Sequence, residues 1–116
     1  MPLKPINLKP RLEEVKKDPG DAARYAAKVL HHRWPEAEPY ILKDPYHAYY
    51  YALNVVKERW PEFEEVLLSN PNTHFTYLIG YAANNVKGRW PEAEARLSTI
   101  GRNRYRTVLK GLHGIE

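Results

Sequence analysis

Histidine, carboxylate, arginine and tyrosine are the side chains with which this chain could bind a metal, move a proton or hold an anion. Cysteine is absent, which removes a thiol nucleophile, a disulfide framework and any cysteine-based zinc site. The five histidines do not form a ligand set. His31 and His32 are adjacent, so on a helix they point in different directions. No H-E-x-x-H occurs. His47 and His74 stand at different offsets from the tryptophans near them, and His113 stands alone. These positions read as exposed polar sites. Paired glutamates recur at 36/38, 62/64 and 92/94 and have the look of an acid/base pair. Their position just after a proline explains them without catalysis, because the first turn of a helix favours anions. The six glycines form no phosphate-cradling loop, and Ser69 and Ser98 are the only serines. The expectation is a protein that is not an enzyme and holds no metal and no cofactor.

Recognition is the chemistry that remains. Tyr46, Tyr49, Tyr50 and Tyr51 crowd one stretch, and three successive positions of a helix cannot all face a core. Tyr46, Tyr49 and Tyr50 are therefore candidate protein contacts, since tyrosine joins a rigid ring to a polar tip. A second cluster, Arg102, Arg104, Arg106 and Lys110, surrounds Tyr105. Arg102, Arg106 and Lys110 fall one helical turn apart. Such a stripe tracks phosphates, meets an acidic partner or is simply a solvated face. The charge distribution fits any of the three. Residues 1–17 carry five basic and two acidic residues, residues 96–116 five and one, and the middle eight and eleven.

These groups are positioned by a repeat. Arg33-Trp34-Pro35-Glu36-Ala37-Glu38 returns as Arg59-Trp60-Pro61-Glu62-Phe63-Glu64 and as Arg89-Trp90-Pro91-Glu92-Ala93-Glu94. Eight residues before each arginine stands a Tyr-Ala pair, at Tyr25, Tyr51 and Tyr81. Proline is favourable at the first position of a helix and disfavours α geometry in the residue before it. Each Arg-Trp-Pro-Glu thus reads as one helix (A) ending on its arginine and another (B) beginning. Trp34, Ala37 and Ile41, with their repeats Trp60, Phe63, Leu67 and Trp90, Ala93, Leu97, lie on one helical face. So do Ala22, Ala26, Val29 and Leu30, repeated as Ala48, Ala52, Val55 and Val56. Asp18, Asn70 and Asp44 precede prolines and are good N-caps.

The map that follows is a first helix near 10–17, A1 20–33, B1 35–42, A2 45–59, B2 61–68, A3 71–89, B3 91–99 and a last helix 102–112. The period is 26 residues between the first two tryptophans and 30 between the second and third. The four extra residues fall at the start of A3 and predict a protrusion over 72–76, with His74 and Phe75 as candidate contacts. Trp34, Trp60 and Trp90 read as structural wedges between units, and Tyr25, Tyr51 and Tyr81 as structural residues of the repeat, Tyr51 lining the seam between helices. Single helix pairs cannot bury their apolar faces and stacked ones can. The expected fold is all-α, a short α-solenoid or superhelical bundle of about three helix pairs with degenerate terminal helices. It forms one domain over 1–116, with units near 18–34, 35–60, 61–90 and 91–113.

The Arg-Trp-Pro-Glu-Ala-Glu string, with Tyr-Ala upstream and Asp-Pro downstream, resembles a short helical repeat of proteins encoded by bacteriophages and other viruses. The resemblance spans about residues 18–100 and implies a repeat fold and a phage origin. That family has no established activity, so no catalytic residue follows from it. The leading functional expectation is a protein-interaction module engaging a host or phage protein. The alternatives are a nucleic-acid binder using the last helix and a self-associating structural protein. No run of about 18 apolar residues suggests a membrane span. The first residues lack the apolar stretch of a signal peptide. The expected location is the cytoplasm, that of an infected cell if phage-encoded.

Overall fold

A computed structural model of the chain describes residues 9–113, with side chains over 11–111. Every regular element in this range is helical. α1 spans Lys9–Lys17. The three A helices are α2 (Pro19–Tyr25), α4 (Pro45–Tyr51) and α6 (Phe75–Tyr81). Each runs on into a five-residue π-helical turn, at Ala26–Leu30, Ala52–Val56 and Ala82–Val86. The B helices are α3 (Glu38–Ile41), α5 (Pro61–Ser69) and α7 (Pro91–Arg96), and α8 (Thr99–His113) closes the chain. Neighbouring A helices pack side by side in chain order, α2 on α4 and α4 on α6, and α8 packs on α6 and α7. The Cα extents are 65 × 25 × 17 Å.

Two of the three expected capping residues act as their types require; Asn70 does not cap a helix, because a turn follows it and α6 begins only at Phe75 behind His74. Asp18 accepts from the Asp21 N–H, and Asp44 from the Tyr46 and His47 N–H groups, with proline at N1 behind each. Most of the expected inner faces are buried: Ala22, Ala26, Ala48, Ala52, Ala37, Phe63, Ala93, Ile41 and Leu67 are wholly inaccessible, as are Tyr51, Tyr81 and Trp60, whereas Leu30, Trp34 and Val55 are half-buried. Glycine lets rings come close to the neighbouring A helices. A Cβ on Gly20 would sit 2.8 Å from the His47 imidazole, and one on Gly80 would meet the Tyr49 ring carbons at 2.7 and 2.8 Å. His47 and Tyr49 thus lie from α4 onto α2 on one side and α6 on the other.

Four expectations need correction. The A helices do not reach the arginines. Each ends when His31, Lys57 or Lys87 enters the left-handed region at φ 59°, 61° and 61°, its N–H closing the π turn on Ala26, Ala52 or Ala82. Arg33, Arg59 and Arg89 therefore stand in the following turn, not at a helix end. B1 is shorter than 35–42: residues 35–37 form a turn before Glu38, because Pro39 has no N–H for a fourth-residue bond to Pro35. Its counterparts Glu65 and Ala95 have one, and α5 and α7 begin at their prolines. The insertion before A3 does not lengthen the helix. Residues 71–74 make a non-helical turn that lies against α8, where the Asn72 side chain accepts from the Ser98 N–H at 3.3 Å. Val29, placed on the inner face, is 58 % exposed. Its third-unit counterpart Asn85 is buried and donates to the Ala52 and Glu58 carbonyls of the unit before it. This position faces the preceding unit, and in the first unit α2 packs on α1 instead.

Candidate functional site

The residues of the repeated motif converge on one arrangement. The Arg33 guanidinium forks onto Glu38 at 2.8 and 2.9 Å, and Arg59 onto Glu64 at 2.9 and 2.7 Å. Arg89 does the same to Glu94 at 2.8 and 2.9 Å. The next A helix supplies a hydroxyl to each of the first two carboxylates. Tyr51 donates to Glu38 at 2.7 Å while accepting the Trp34 backbone N–H at 2.7 Å. Tyr81 donates to Glu64 at 2.5 Å and accepts the Trp60 N–H at 2.7 Å. The same tyrosine rings contact the tryptophan of their own unit, with centroids 5.3 Å apart for Tyr25–Trp34, 5.1 Å for Tyr51–Trp60 and 5.5 Å for Tyr81–Trp90. Arg33 lies over Trp60 and Arg59 over Trp90, at 5.9 and 5.8 Å. Each node therefore fastens one unit to the next.

The electrostatics follow from this geometry. Burial works to raise the Glu38 and Glu64 carboxyls, but the arginine fork and then the tyrosine hydroxyl outweigh it and hold both below the ordinary carboxylate value. Burial, and next the adjoining carboxylate, push the Tyr51 and Tyr81 hydroxyls far above the ordinary phenol value. A carboxylate kept ionised and a phenol kept neutral suit a structural clamp. The second glutamate of each pair is thus the half-buried or buried acceptor of the fork, which dipole reasoning did not foresee. The first (Glu36, Glu62, Glu92) is exposed.

The candidate contact residues are spread over the molecule. Tyr46 is 58 % exposed on α4, while Tyr49 and Tyr50 are half-buried. Tyr49 pairs with Tyr77 at 5.4 Å. His74 is the half-buried N-cap position of α6, and Phe75 is half-buried beneath the Arg104 guanidinium at 5.3 Å. His47 is also half-buried, 3.0 Å from an Asp44 carboxylate oxygen, so neither His47 nor His74 is the exposed polar residue expected; His31 and His32 are exposed. The His113 side chain lies outside the described residues. The four basic candidates of α8 do not share one side of the helix. Arg102 donates to the Glu94 carbonyl at 3.0 Å, and Arg106 to the Glu94 carboxylate at 3.0 Å. Arg104 lies on the other side of α8, over Phe75. Lys110 is exposed further along.

Two open recesses flank α8. One, of about 300 Å³, is lined by Asn72, Phe75, Ile100 and Arg104 among others. The other, of about 380 Å³, is lined by Arg89, Pro91, Glu94, Ala95, Arg102 and Arg106. Sequence reasoning grouped Arg102 and Arg106 but missed Arg89, 13 residues upstream of the nearer one. No helix among the described residues is long and apolar enough to cross a membrane. Comparison with protein-family models, with curated proteins and with solved structures gave no match.

Proposed function

We propose that the chain is a short α-solenoid of about three helix pairs that acts as a non-enzymatic protein-interaction module. The observation that carries this reading is the division of labour among its aromatic residues. Tyr51, Tyr81, Trp60 and Trp90 are consumed in fastening units together, whereas Tyr46 stands 58 % exposed on α4 with the half-buried Tyr50 on the same helix. Tyr46 meets the adjacent His47 ring at 5.0 Å, and its exposed remainder is a favourable contact for a partner. The resemblance of the repeat motif to phage-encoded helical repeats makes a host or phage protein in the cytoplasm of an infected cell the partner class.

A photo-crosslinking residue placed at position 46 tests this, with position 57 as an exposed control. The reading expects a discrete protein adduct from position 46, absent from 57 and reduced by Tyr50→Ala. Adducts only with nucleic acid, only with a second copy, or none at all, contradict it. Nucleic-acid binding through α8 is the weaker alternative, because Arg102 and Arg106 are already bonded within the fold. Self-association is the third reading, and a monomer in sedimentation at high concentration removes it.

A further inference from the structure

The insertion that lengthens the third repeat takes no part in the Arg–Glu–Tyr nodes, yet it builds one wall of a recess. Its turn and the start of α6 face the start of α8 across about 300 Å³, and Asn72 ties the walls together by accepting the Ser98 N–H at 3.3 Å. That volume lies at the small end of ligand pockets and suits one or two side chains rather than a folded surface. Part of the lining is apolar. Ile100 is 74 % exposed, the most accessible large hydrophobic among the described residues, and the half-buried Phe75 lines the same recess. Part is cationic. Arg104 lies over the Phe75 ring at 5.3 Å and makes no ion pair or hydrogen bond among the described residues. The ring covers one face of the guanidinium, while its N–H donors lie in the plane and stay available. Arg104 differs in this from Arg89, Arg102 and Arg106, which are bonded within the fold. No carboxylate lines the recess. Arg96, two residues before Ser98, also lacks an ion pair among the described residues and donates to the Leu68 carbonyl at 3.3 Å.

We propose that this recess is a docking site for a short acidic segment of a partner protein, in which one carboxylate pairs with Arg104 and a neighbouring aliphatic side chain covers Ile100 and Phe75. A guanidinium held in place by a ring is pre-organised for a carboxylate fork. Covering Ile100 takes apolar surface out of water. The exposed Thr73 and Thr76 stand on the same wall, with hydroxyls that bond to nothing among the described residues and are free to meet the backbone of the segment. A nucleic acid would use the guanidinium alone and leave Ile100 in water. The inference rests on the reading of the chain as a protein-interaction module, at a surface that shares no residue with Tyr46 and Tyr50 of α4. The crosslink at position 46 needs the whole partner and a peptide does not, so either site can fail while the other holds.

The test is an NMR titration with the end-blocked peptide Gly-Ser-Leu-Asp-Glu-Leu-Ser-Gly, following the Ile100 methyl groups and the Arg104 Nε–Hε signal. The proposal expects saturable shifts at both, half-complete between about 0.1 and 2 mM, with the Arg24 signal unmoved. A peptide with its two acids changed to amides, and one with its leucines changed to serine, should each bind about fivefold more weakly. Arg104→Gln should weaken the acidic peptide about fivefold while the circular dichroism spectrum is unchanged. Ile100→Ser is the second variant, should Arg104→Gln fail to fold, and should act in the same direction. No saturation by about 10 mM, equal binding of the amide peptide, or binding unchanged in a folded Arg104→Gln overturns the proposal. So does a single-stranded oligonucleotide that moves the same signals at lower concentration, which gives the recess to nucleic acid. Ile100 shifts that follow protein concentration without peptide give it to a second copy and overturn it equally.

Discussion

Removing one hydroxyl, in Tyr81→Phe, should be among the most destabilising near-isosteric changes in the chain. The Tyr81 hydroxyl donates to Glu64 at 2.5 Å and accepts the Trp60 N–H at 2.7 Å, inside a fully buried residue. A hydrogen bond to a charged group contributes about 1.5–3 kcal/mol, and a buried N–H left unpaired costs about 1–3 kcal/mol. The two overlap, because Arg59 still holds Glu64, so the expected loss is about 2–4 kcal/mol. With a urea dependence of about 1.5 kcal/mol per molar, the midpoint should fall by about 1.3–2.7 M. Tyr25→Phe is the internal control. It occupies the same frame position, but its hydroxyl bonds to nothing among the described residues. Its midpoint should move by less than the equivalent of about 0.5 kcal/mol. Tyr51→Phe should fall between them, since Trp34 is only half-buried. Equilibrium urea unfolding followed by tryptophan fluorescence measures all three. A Tyr81→Phe midpoint no lower than that of Tyr25→Phe would refute the claim that the hydroxyl joins units.

Three further outcomes follow from the same geometry. Gly80→Ala should cost about 1–3 kcal/mol by overpacking, because its Cβ would overlap the Tyr49 ring, and Tyr49→Ala should restore part of that loss in a thermal melt. Lys57→Gly should raise the urea midpoint by the equivalent of about 0.5–1 kcal/mol, since lysine there holds φ at 61° and glycine does so without steric penalty. Stability should fall at both ends of the pH scale. Glu38, Glu64 and Glu94 have folded values below 4.5, so their contribution is complete above that value and is lost as pH drops through the lowered ones. Tyr51, Tyr81 and Tyr105 are raised above 10.0, so above that pH the unfolded chain sheds protons that the fold retains, and stability declines. Urea midpoints flat from acid to alkaline pH would contradict both signs.

Much of the helical frame was legible because proline and its neighbours punctuate the chain. Pro45 and Pro61 open helices behind Asp44 and Trp60, and the alanine and leucine periodicity marks the inner faces. The contacts of Tyr51 with Trp60 and of Tyr81 with Trp90 accord with their fixed spacing in the sequence. The Arg–Glu fork was not. Its five-residue separation crosses a turn, where helical spacing rules do not apply. The π-helical ends escaped notice because His31, Lys57 and Lys87 occupy a left-handed position where glycine is the usual signal, and Gly88 stands one residue too late. The arginine recess was hidden for a tertiary reason: α8 brings Arg106 to a carboxylate that belongs by sequence to the third repeat.

The stacked arrangement itself is tested most directly by small-angle X-ray scattering of the full chain, with its mass recorded on the same sample. A compact domain of this length has a radius of gyration of about 13 Å. The structure has a Cα radius of gyration of 17.1 Å and a longest extent of 65 Å. A monomer with a radius at or somewhat above the larger value agrees with side-by-side units held by the Tyr–Glu–Arg nodes. A monomer near the compact value would mean that the helix pairs collapse onto one another, and the solenoid reading would be wrong.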